Sequence, residues 1–158
     1  MIQEIILALG LGATVFTLVF NHKENKRQST LDLIIHQRSN DKLNNAVNHV
    51  VSLARNLNNN SNSIKDLVSF MADLESSESK DIIEVLNFRE FVSVGINTGI
   101  IDEKVYKRAY CSVMIRDWKL LKSTIFSIRE KQNKQTLFQD FEILAKRWEK
   151  SPLKEKIR

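Results

Sequence analysis

Asn87 and Glu90 are the polar pair best placed for chemistry. They lie three apart in the most apolar part of the body that follows residue 28, so on a helix they share a face. Buried polar groups need partners, and Arg89, Arg116 and Arg129 are the cations within sequence reach. The spacing predicts an internal polar network that fixes helix packing, with a ligand or catalytic site as the alternative. Asp102-Glu103 reads as a helix cap followed by a first-turn charge. His22, His36 and His49 are 14 and 13 residues apart, unlike a local zinc spacing, and Cys111 is the one cysteine. No metal and no cofactor is therefore expected. A ribonuclease of the compact helical kind would place an arginine shortly before its histidine. Here Arg27 precedes His36 with eight residues between and Arg38 precedes His49 with ten. Asn44 lies closer to His49 but lacks the fixed charge that stabilises a phosphorane-like state. No phosphate-binding glycine loop, nucleophile elbow or kinase signature is present. The chain assembles no catalytic set; a divergent helical ribonuclease stays as an alternative.

The elements that must position these residues begin with a membrane helix. Residues 5–20, IILALGLGATVFTLVF, carry no charge and give way to Asn21-His22-Lys23-Glu24-Asn25-Lys26-Arg27. A bilayer core about 30 Å thick needs roughly 20 apolar residues, which Met1, Ile2 and the interfacial Asn21 and His22 help to supply. A cleaved signal peptide would want a basic leader and a small-residue cleavage site, and the chain has Glu4 and neither. A buried soluble helix is the other rival. Lys23, Lys26 and Arg27 follow the span, so the positive-inside rule puts the N-terminus outside and the body in the cytoplasm, as expected at a bacterial inner membrane. Small residues recur at four-residue spacing: Ala8 with Gly12, Gly10 with Thr14, Ala13 with Thr17. Such faces let helices pack closely in lipid.

The body has one proline, Pro152, and two glycines, Gly95 and Gly99, too little punctuation for strands and turns. The expected fold is all-α: one N-terminal transmembrane helix, then a cytoplasmic bundle of about five to six helices. Residues 1–28 form the anchor and its basic flank, 29–149 the helical domain, and 150–158 a basic tail, disordered beyond Pro152. Ser29 or Thr30 is expected to cap a helix over 31–38, and Asp41 one over 42–57. The Asn-rich run 58–63 breaks the pattern, and Ser63 with Asp66 resembles a capping box opening 64–74. Residues 80–98 are apolar around nearly the whole circumference, which predicts a central, buried helix. Gly95 suits close packing and Gly99 a left-handed helix end. After Asp102, Tyr106, Ala109, Tyr110, Val113, Met114 and Leu121 make one stripe with Trp118 beside it. A last helix, 136–149, carries Phe141, Leu144, Ala145 and Trp148 as core.

The stretch VLNFREFVSVGINTGIIDEKVY, residues 85–106, resembles a family of small bacterial and phage membrane-anchored proteins known as a domain of unknown function. The matching positions are Leu86, Asn87, Phe88, Glu90, Gly95, Ile96, Gly99, Asp102 and Glu103. RQSTLDLI at 27–34, the stretch from Trp118 to Arg129 and FEILAKRW at 141–148 are similar as well. The resemblance implies a layout, one N-terminal span and then a cytoplasmic helical domain, and no activity.

From Lys119 to Arg158 there are 11 Lys and Arg against 5 Asp and Glu, while the rest of the chain is near neutral. In a tethered protein the natural partner of such a surface is the anionic cytoplasmic leaflet. Base-stacking aromatics are not interleaved with the basic residues, so nucleic acid is not expected. The reading is a single-pass inner-membrane protein whose helical domain self-assembles into a homo-oligomer or binds a protein partner, as an accessory or effector in phage–host conflict. An oligomeric, membrane-perturbing or pore-forming defence effector is the alternative.

Overall fold

Residues 2–59 and 67–153 are described by the computed structural model, with side chains for 16–57 and 67–153, and every regular element among them is helical. In chain order these are α1 (Ile2–Ser39), α2 (Asp41–Asn59), a 3-10 helix (Leu67–Ala72), α3 (Ser77–Asn97), α4 (Glu103–Gln132) and α5 (Gln139–Lys150). The expected all-α class and helix number hold.

α1 departs from expectation. No helix starts at Leu31; α1 continues from Ile2 through Ser39. No Gly or Pro interrupts it after Gly12, and Thr30 does not cap. Its hydroxyl donates to the Lys26 carbonyl one turn back at 2.8 Å and accepts the Asp102 amide at 2.9 Å. From Phe16 to Asn25 every residue is exposed, and packing on the bundle begins at Thr30, Ile34 and Gln37. Among the residues whose side chains are described, no helix is long and apolar enough to cross a membrane. Most of the predicted span precedes them: the side chains of Ala8, Gly10, Gly12, Ala13 and Thr14 lie outside the described residues, and Thr17 is on the exposed stretch.

Asn40, rather than Asp41, caps α2, its Oδ1 accepting the Leu43 amide at 3.0 Å. Leu43, Ala46, Val50 and Ala54 then bury one face. The helix runs to Asn59, into the Asn-rich run; the predicted capping box at Ser63 lies outside the described residues. Of the helix expected over 64–74, the described part is the 3-10 helix, with Leu67 and Met71 buried. α3 starts three residues earlier than expected because Ser76, its backbone extended, accepts the Ser79 amide at 3.2 Å. It is central, with Ile82, Val85, Leu86, Val92 and Ile96 buried, but not wrapped on all sides: Phe91 is 63% exposed and Val94 38%.

The turn from α3 to α4 needs both glycines. Gly99 has φ +80°, the left-handed region that a side chain disfavours. Gly95 makes room for Ile101, whose amide donates to the Gly95 carbonyl at 2.8 Å. A Cβ on Gly95 would stand 2.8 Å from Ile101 Cγ1 and closer still to Cδ1. The close approach is thus to the connector, not to another helix. Asp102 caps α4 as expected, accepting the Val105 amide at 3.1 Å. Tyr106, Met114, Trp118, Leu121, Ile125 and Ile128 bury its inner stripe. α5 begins later than predicted, because residues 135–138 form a turn that ends in Phe138 at φ 55°. Its Phe141, Leu144, Ala145 and Trp148 are wholly buried, with Trp118 edge-on to Phe141 at 5.7 Å between centroids.

Candidate functional site

Glu90 caps a helix that is not its own. Phe138, at the head of α5, offers no side-chain cap. The carboxylate of Glu90 on α3 fills that place, accepting the Asp140 amide at 3.2 Å and the Phe141 amide at 2.8 Å. Asn97, two turns along α3, donates to the Asp140 carboxylate at 2.7 Å. Burial raises the Glu90 pKa, and the Asp140 carboxylate adds to the rise; the two amides and Arg129 pull the other way. Arg129 donates to the Leu137 carbonyl at 2.8 Å and to Glu142 at 2.6 Å, closing the α4–α5 turn. Burial alone would raise the Glu142 pKa, but hydrogen bonds from Lys146 and Arg129 outweigh it and hold the carboxyl below its ordinary value. Asn87, Glu90's predicted companion, is exposed and takes no part.

A second polar cluster lies deeper. Arg89 and Asp117 are 1% and 3% exposed. Arg89 Nε and Nη2 meet Asp117 Oδ2 at 2.9 and 2.8 Å, and Arg116 grips Oδ1 at 2.9 and 2.7 Å. Tyr106 donates to Gln37 on α1 at 2.6 Å, and burial pushes its phenol well above the ordinary range against the pull of Arg89. The cluster joins α1, α3 and α4. Sequence reasoning offered Arg89 and Arg116 as partners of Asn87 and Glu90; they hold Asp117 instead, a residue it missed. Its signal was available: position 117 lies three after Met114 and four before Leu121, on the apolar stripe of α4.

Asp102 and Glu103 go beyond capping. Trp148 donates to Glu103 at 2.8 Å and Arg147 reaches it at 3.2 Å, tying the end of α5 to the start of α4. His49 meets Asp81 at 2.6 Å between α2 and α3, while Asn44 is held by the Arg38 carbonyl. Among the described residues no arginine bonds that pair. Among the described residues no three of His, Cys, Asp and Glu converge on a point that could hold a metal.

Two of the surface grooves lie beside α3. One, about 590 Å³, has a floor of Met71, Leu74, Ile83 and Ile128 and a rim that includes Lys42 and Asp81. The other, about 260 Å³, runs between α1 and α3 and is almost wholly apolar, with Leu33, Phe91, Val94, Ile100 and Ile101. Neither contains the Arg89–Asp117 pair, but a groove of about 430 Å³ on α4 is lined by Arg116, the outer member of that cluster, with Ile115 and Leu120. Through their bonds the two polar clusters tie α1, α3, α4 and α5 to one another.

A family model described as Domain of unknown function (DUF4760) matches residues 4–148. The chain belongs to this family. Comparison with curated proteins and with solved structures finds no match. The DUF4760 match begins within α1 and closes on Trp148, the residue whose indole reaches Glu103. It therefore takes in the uncharged run, the central helix and the α5 core as one unit.

Proposed function

We propose that this DUF4760 protein is a single-pass membrane protein of the inner membrane, with its helical domain on the cytoplasmic side, and that the domain associates with a second copy. One observation carries the anchoring. Phe16, Leu18, Val19 and Phe20 are 72, 65, 64 and 55% exposed on a part of α1 that touches nothing in the bundle. Leaving four such side chains in water forgoes roughly 5 kcal/mol, which lipid recovers. They end the uncharged run 5–20, and Lys23, Lys26 and Arg27 follow on the side that positive charge keeps in the cytoplasm. Association is favoured by the apolar groove beside Phe91 and Val94, on a helix that is otherwise core.

The test is fractionation of the full chain together with crosslinking. The protein is expected to stay with membranes through alkaline extraction, and Leu11→Lys, at the middle of the uncharged run where a lysine costs about 3 kcal/mol, is expected to release it. Val94→Cys is expected to crosslink between copies in membranes when Cys111, which is buried, is replaced by Ala. Release of the native chain by alkali would end the anchoring reading. A Val94→Cys protein that stays monomeric under oxidant would end the association reading.

A further inference from the structure

Three segments far apart in sequence meet at the corner of the domain nearest the exposed stretch of α1. The α3–α4 turn is fastened to α1, Asp102 through its amide to Thr30 at 2.9 Å and through its carboxylate to Arg27 at 3.9 Å. The end of α5 is fastened to the start of α4, by Trp148 and Arg147 on Glu103 and by Lys107 on the Ser151 carbonyl. The carboxylates here are consumed internally: Glu24 by Arg27, Asp102 by its cap and Arg27, Glu103 by α5. Arg27 and Arg147 are used in the same way, but four lysines are not. Lys23, Lys26, Lys104 and Lys150 have no ion-pair partner among the described residues. The corner therefore carries a net positive surface although its fold uses acidic residues.

Its height follows from the helix. At 1.5 Å per residue, Lys23 stands about 5 Å beyond Phe20, and Arg27 and Thr30 about 10 and 15 Å beyond it. The headgroup layer of one leaflet is about 5–7 Å deep, and the Debye length in physiological salt is about 8 Å. The corner thus lies at the edge of the headgroups, within range of their charge. We infer that this corner, built from α1, the α3–α4 turn and the α5 end, is a second contact with the membrane, seating Lys104 and Lys150 on anionic phospholipid headgroups. The inference rests on the anchoring proposed above. Charge complementarity and continuity with the anchor select this partner.

The full chain, with Cys111→Ala and a fluorophore on Thr98→Cys at the exposed turn, is reconstituted in bilayers of phosphatidylcholine alone or with phosphatidylglycerol. Headgroup nitroxide lipid serves as the quencher. Stronger quenching is expected with phosphatidylglycerol, reversed by high salt and by Lys104→Glu with Lys150→Glu, each reversal lowering the docked population by about fivefold. Protein that fails to float with the bilayers overturns the anchoring itself. Protein that floats but is quenched equally with and without phosphatidylglycerol, or that ignores the lysine reversals, overturns the corner contact and leaves the anchor standing. So does a corner that retains an oligonucleotide through the same lysines while its quenching ignores lipid charge.

Discussion

Replacing Asp117 by Leu removes the carboxylate that meets Arg89. Both groups are within a few per cent of complete burial, and Asp117 accepts one hydrogen bond from Arg89, with a second ion-pair contact at Nη2, and two from Arg116. Arg116 has a half-exposed side chain and regains water when released. Arg89 does not, and its Nη1 already lacks an acceptor among the described residues. Breaking a buried pair from one side costs about 3–5 kcal/mol, whereas replacing both members by apolar residues of similar volume is often neutral or better. Against a total of about 5–15 kcal/mol for a domain, the single change takes about a fifth or more. At about 2–4 °C per kcal/mol for this size, Tm should fall by about 6–20 °C. Arg89→Met alone should lose less than Asp117→Leu, because a carboxylate that keeps Arg116 is not stranded. The double variant should recover most of the loss. The assay is thermal unfolding followed by circular dichroism in one detergent at one protein concentration. Asp117→Leu within about 1 kcal/mol of the parent, or single losses that simply add in the double variant, would refute the reasoning.

Gly95→Ala should cost about 1–3 kcal/mol by overpacking against Ile101, and much less in an Ile101→Ala background; Gly99→Ala, which meets no atom but sits at positive φ, should cost about 1 kcal/mol. Denaturant titration of the four proteins separates the two causes. Glu90 has a raised pKa, so its protonation favours the fold; the parent should gain on Glu90→Gln as pH falls from 7 toward the unfolded carboxylate value. Glu142 has a lowered pKa, so its contribution is present at neutral pH and lost as pH falls through the folded value, and the parent's lead over Glu142→Gln should shrink. Melting curves across that range read both signs. Thr30→Val keeps the shape of the side chain but strands the Asp102 amide, which should cost about 1–3 kcal/mol and speed amide exchange at the start of α4.

Features decided by neighbours in sequence were legible. Asp102 before an apolar stripe is a cap, Gly99 after one is a left-handed stop, and Phe141, Leu144, Ala145 and Trp148 at helical spacing are core. Features decided by distant partners were not. Glu90 serves two amides 50 and 51 residues away, so the residue three before it, Asn87, was taken for its partner. Thr30 was read as a cap because a threonine hydroxyl serves a helix start and a helix interior equally well; the Asp102 amide that it accepts lies 72 residues on. Phe138 shows the same limit. Its left-handed backbone delays α5 to Gln139, although apolar periodicity at Leu137 and Phe138 continues the helical pattern.

The unbroken course of α1 has a geometric corollary. Its 38 residues make a rod about 57 Å long, with no swivel between the uncharged run and the turn at Thr30. With the uncharged run in the bilayer as proposed, height and heading would be set by residue number alone. Each residue inserted after Phe20 would raise the bundle by about 1.5 Å and turn it by about 100°, whereas a flexible joint would absorb the insertion. Two copies in one bilayer would share a common elevation, and their meeting would reduce to one azimuth apiece. Insertions of one to four residues should therefore redirect Val94→Cys crosslinks with the period of a helix instead of weakening them steadily.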